Sequence, residues 1–109
     1  MDVVVDLRAV RPARLAASLS EQAMTEPVRE LRPFLRGARC EPLPDGVRLS
    51  VVLDVIDIAS LADEIRLLAD HWPFLSYRLC ADPPTCTLEV TGDGPAGALA
   101  RGVFAELGD

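Results

Sequence analysis

The stretch DHWPFLSYRLC, residues 70–80, holds the only histidine, tryptophan and tyrosine of the 109-residue chain. An imidazole changes charge near neutral pH more readily than any other side chain, so His71 is the first candidate for chemistry. As a nucleophile's base it would need an activated Ser, Cys or Thr and an orienting group, and no nucleophile-elbow sequence accompanies it. Asp93, in TGDGPAG (residues 91–97), is the second candidate. That segment lacks both the phosphate-loop Gly-Lys-Ser/Thr and the Gly-x-Gly-x-x-Gly spacing, and the Asp93 carboxylate would repel an anion. It reads as a turn followed by a helix start.

Cys40, Cys80 and Cys86 are the remaining reactive side chains. Zinc sites gather closely spaced Cys and His pairs, and no Cys-x-x-Cys occurs here. Three thiols in a chain expected to be cytosolic argue against a disulfide framework. They are expected to act as small apolar residues, with no metal and no cofactor.

The elements that must position these groups follow from periodicity. VVVDL (residues 3–7) alternates as a strand or extended arm. PARLAASLSEQAM (residues 12–24) has Leu15, Leu19 and Ala23 at helical spacing. In TEPVRELRPFLRG a helix restarts at Pro27, Pro33 should interrupt it, and Gly37 should end it. Asp45-Gly46 supplies a hairpin turn. Val47, Leu49, Val51, Leu53 and Val55 then share one face of a strand, with Val52 the apolar exception on the other.

DIASLADEIRLLADHW (residues 57–72) is the strongest helix, with Asp57 as its expected cap. Ile58, Leu61, Ala62, Ile65, Leu68 and Ala69 form its apolar stripe. At 100° per residue Trp72 continues that stripe, while His71 lies about 120° from its centre. LSYRLC and CTLEVTG, joined by ADPPT, read as a second hairpin. Pro95 opens a last helix with the stripe Ala96, Leu99, Val103 and Leu107, and Ala100 beside it.

The expected fold is therefore α+β: a four-stranded antiparallel sheet with helices on one face, in the order α-β-β-α-β-β-α. Residues 1–24 would form an N-terminal arm and helix, and residues 25–109 the main domain, together one compact unit.

The formal charge of −6 argues against nucleic-acid binding, and no apolar run is long enough for a membrane span. The N-terminal residues lack the basic start of a secretory signal. Arg29, Arg32 and Arg36 would share a side of a continuous helix; as a solvated face or as a patch for a partner, they are candidate contact residues together with Val52.

The element order and the His-x-Pro at the end of the long helix resemble the pterin-4α-carbinolamine dehydratase family. Leu35–Gly37 is similar to that family's hairpin entry, DHWP to its His-His-Pro, Thr91-Gly92-Asp93 to its Thr-His-Asp, and ALARGVFAEL to its closing helix. The resemblance spans roughly residues 25–107. It implies a pterin site in which His71 and Asp93 would be catalytic, with His71, Trp72, Thr91 and Asp93 binding ligand. The departures are as informative. Trp72 replaces the family's second histidine and Gly92 its third, and Pro95 or Ala96 stands where the family has an Asp.

The family's reaction expels a hydroxyl from a tetrahydropterin, which needs a proton donor at the leaving oxygen and a base at a ring nitrogen. Each positioned group typically contributes about 10²–10⁴ in rate, and one imidazole fills one role at a time. Non-catalytic relatives act as binding or assembly factors, including for RuBisCO. The resemblance thus implies a non-catalytic domain working through protein contacts as a homo-oligomer. The alternatives are an altered pterin dehydratase, a small-ligand binder with a cleft near His71, or an unrelated ferredoxin-like ligand-sensing module.

Overall fold

The computed structural model describes residues 3–9 and 28–105. The expected helix over residues 12–24, the Pro27 start and Leu107 lie outside the described residues. What is described is an α+β fold, as the periodicity predicts. The sheet, however, has five strands rather than four, because the N-terminal segment joins it.

Strand β1 (Val3–Leu7) is followed in the described chain by a 3-10 turn (Arg29–Leu31) and a one-turn helix α1 (Arg32–Leu35). Hairpin β2 (Arg39–Leu43) and β3 (Gly46–Val52) leads into α2 (Val55–His71). Hairpin β4 (Ser76–Asp82) and β5 (Thr85–Thr91) leads into α3 (Pro95–Ala105). The strand order is β1-β4-β5-β3-β2, every neighbour antiparallel. β1 runs along β4 from Val3 opposite Ala81 to Leu7 opposite Tyr77 and covers that edge within the same chain.

Alternation sorts the strand side chains onto two faces. Val5, Val47, Leu49, Tyr77, Leu79, Ala81, Cys86, Leu88 and Val90 are buried. They meet Ile58, Leu61, Ile65 and Leu68 of α2 and Ala96, Ala100 and Phe104 of α3 in one core. The opposite face carries a row of alternating charge, Glu41–Arg48–Glu89–Arg78–Asp6, one residue from each strand.

Four local expectations change. The cap of α2 is Asp54, whose Oδ1 accepts the Asp57 N–H at 2.8 Å; the helix starts one turn earlier than expected, so Asp57 lies inside it. Residues 29–35 are a 3-10 turn plus a one-turn helix, with Pro33 in the first turn of the latter. The continuous helix that would align Arg29, Arg32 and Arg36 is absent, although all three side chains are exposed. The first hairpin turns at Pro44–Asp45, with Leu43 opposite Gly46. A Cβ at Gly46 would lie 1.9 Å from the Val90 carbonyl oxygen, so a strand position that only glycine can fill sets the register. In α3 the deepest residues are Ala96, Ala100 and Phe104, while Leu99 and Val103 are half-buried flanks.

Candidate functional site

His71 closes the last turn of α2 and is exposed. Among the described residues its ring makes no hydrogen bond or ion pair. Trp72, one residue on and about 100° around the helix, is 2% exposed. Its ring meets Phe104 edge-on, centroids 6.4 Å apart, an arrangement that aromatic pairs favour. The Trp72 N–H donates to Leu68 O at 2.8 Å and closes the helix before Pro73. The Trp72 carbonyl accepts the Tyr77 hydroxyl at 3.3 Å. Burial pushes the Tyr77 phenol well above its usual range, so this hydroxyl stays protonated as a structural donor.

Groups that converge lie at the end of the sheet where β5 passes into α3. A cavity of about 230 Å³ is lined there by Arg8, Ala9, Asp45, Phe74, Ser76, Thr91, Gly92 and Asp93. Each comes from the end of an element. Arg8 and Ala9 follow β1, Asp45 sits in the β2–β3 turn, Ser76 opens β4, Thr91 closes β5, and Asp93 precedes α3. The Ala9 N–H donates to Ser76 Oγ at 2.9 Å and ties the N-terminal segment to the body. The Gly92 N–H donates to the Asp45 carbonyl at 2.9 Å and joins the turn to β5. Gly97 allows α3 to approach, since a Cβ there would lie 2.7 Å from the carbonyl oxygens of both Asp45 and Gly92.

Of the candidate ligand residues, the cavity thus gathers Thr91 and Asp93, while His71 and Trp72 are not among its lining. Arg8, Asp45, Phe74 and Ser76 were not singled out by the sequence as site residues. Asp45 carries a turn signal and Ser76 a polar position in a strand. Neither signal says which strand ends meet.

Arg48 reaches Glu89 at 2.9 Å and Glu41 at 3.2 Å, and these carboxylates raise its pKa further. The Cys86 thiol is pushed up to about 11, first by burial and then by Cys80, which keeps it protonated and unreactive at neutral pH. Cys40 and Cys80 are half-buried. Among the described residues no group of three His, Cys, Asp or Glu could hold a metal ion. No helix of the described residues is long and apolar enough to cross a membrane.

At the opposite end of the sheet, Val52 is 73%, Val55 63% and Ile56 76% exposed. These three aliphatic side chains fall within five residues at the β3–α2 junction. The junction is fixed to the β4–β5 turn by Leu53 N–H donating to Pro84 O at 2.9 Å. Comparison of the chain with protein-family models, with curated proteins and with solved structures found no match.

Proposed function

We propose that this chain is a non-catalytic, dehydratase-like α+β domain that works through protein contacts and self-associates. The observation that carries this reading is the exposed aliphatic cluster of Val52, Val55 and Ile56. Fully burying one such side chain from water contributes about 1.5–3 kcal/mol, and a cluster on a fixed strand–helix junction loses little conformational freedom when covered. A second copy is the occupant this reading assigns.

The absence of catalysis in this reading rests on where the imidazole stands. A dehydratase needs a donor and a base facing the same ligand. His71 is not among the residues that line the cavity with Thr91 and Asp93, and Trp72, at the position of the family's second histidine, is packed in the core. The test is light scattering at micromolar protein with an activity assay on a 4a-hydroxytetrahydropterin. An oligomer that Ile56→Glu dissociates, with no turnover above the uncatalysed rate, is expected. A monomer, or turnover abolished by His71→Ala, would overturn the proposal.

A further inference from the structure

We infer that the cavity at the β5–α3 end is a binding site for a small dipolar molecule, with a cationic end at Asp45 and Asp93 and a carboxylate at Arg8. This goes beyond the contact surface proposed above, and it is tested without reference to oligomeric state.

The charge order follows from the topology. Leu7 lies opposite Tyr77, which brings Arg8 level with Ser76; Ser76 lies opposite Thr91, and Thr91 opposite Gly46, next to Asp45. Four strand ends at about 4.8 Å spacing place Arg8 and Asp45 on the order of 14 Å apart along the backbone. Both residues line one cavity, together with the hydroxyl residues Ser76 and Thr91 of the two strands between them. Along the row of strand ends Arg8 therefore stands on one side, Asp45 on the other, and Asp93 follows β5, the strand next to that of Asp45.

The groups can be spared for a ligand. Arg8 has Asp6 at 3.6 Å, but both side chains are solvent-exposed, and an exposed pair of this kind is weak and exchangeable. Among the described residues Asp45 and Asp93 have no ion-pair partner. Ser76 Oγ already accepts the Ala9 N–H, which leaves its own proton to donate. Phe74 gives the cavity one apolar wall.

Size and charge then select the class. About 230 Å³ is below the roughly 300–1,000 Å³ of pockets for drug-sized ligands. That is room for a small molecule rather than a drug-sized one. A simple anion would meet two carboxylates for one guanidinium. A metal would lack a third ligand among the described residues. A zwitterion with separated charges, such as a basic amino acid, satisfies both ends.

The experiment is an amide-shift NMR titration of the full chain with L-arginine and with agmatine, which keeps the guanidinium but lacks the carboxylate. Saturable shifts are expected around residues 8–9, 45, 74–76 and 91–93, with Kd below about 10 mM for L-arginine. Arg8→Gln should weaken L-arginine by about fivefold, the upper range for one exposed ion pair, and leave agmatine unchanged. Asp93→Asn should weaken both. Arg8 and Asp93 are exposed, so the variants should keep the wild-type amide spectrum elsewhere. No saturable shift, equal loss of both ligands in Arg8→Gln, or undiminished binding in Asp93→Asn would each overturn the inference.

Discussion

The two ends of the sheet are built from the same strands and present opposite chemistry. At one end Arg8, Asp45, Ser76, Thr91 and Asp93 converge on a small cavity. At the other, Val52, Val55 and Ile56 stand exposed beside the β4–β5 turn. Concave polar groups suit a small molecule, whereas exposed aliphatic side chains suit another protein surface. The chain's only imidazole closes α2 three residues before Phe74 and does not line that cavity.

The strongest perturbation of this arrangement should come from the core that holds the two ends in place. Phe104→Ala should cost about 3–5 kcal/mol, measured by chemical denaturation, because a fully buried ring stacked edge-on against Trp72 is removed. Trp72→His restores the histidine pair of the resembling family in sequence but places an imidazole in that core. It should cost about 3 kcal/mol and create no dehydratase activity. Turnover by that variant would mean that residue 72 can face a ligand.

At the aliphatic end, Val52→Glu should change the stability of the chain by no more than about 0.5 kcal/mol, as surface substitutions usually do, while weakening self-association seen by sedimentation. A variant that associates like wild type would move the contact elsewhere on the surface.

Alkaline pH offers a gentler test of the core. The Cys86 thiol has its folded pKa raised from 9.0 to about 11. The folded state therefore holds that proton more tightly than the unfolded chain, and the associated stability is complete below pH 9 and lost as pH rises toward 11. The denaturation midpoint should fall across this window, and Cys86→Ala should flatten the fall. The buried Tyr77 phenol acts in the same direction at higher pH. The smallest effect belongs to the charged face: Glu89→Gln removes one partner of Arg48 at a half-buried position and should shift stability by about 1 kcal/mol, less in high salt.

Much of the scaffold was legible because burial on one side of an element leaves a period. Alternation at Val47, Leu49 and residues 86–90, and the stripe from Ile58 to Trp72, match the core, with Val51, Leu53 and Ala69 half-buried; Val55, expected on the same strand face, instead opens α2 and is 63% exposed. Helical phase alone separates Trp72 from His71. What escaped depends on tertiary approach. The first turn sits at Pro44–Asp45 because Gly46 must pass within reach of the Val90 carbonyl, which no local preference encodes. Phe104 was not assigned to the stripe, yet it reaches Trp72 across the core. The cavity could not be read at all, since residues 8, 45, 76 and 91 become neighbours only through the β1-β4-β5-β3 order. Alternation in residues 3–7 marks a strand or arm, but its place on the β4 edge is a pairing choice among several open edges.

The central claim, that this domain acts by associating through the Val52–Val55–Ile56 junction, is tested most directly by light scattering of the wild-type chain beside Ile56→Glu at the same micromolar concentration. The account predicts a mass of two or more chains for wild type and of one chain for the variant. A single-chain mass for wild type, or an unchanged oligomer in the variant, would contradict it.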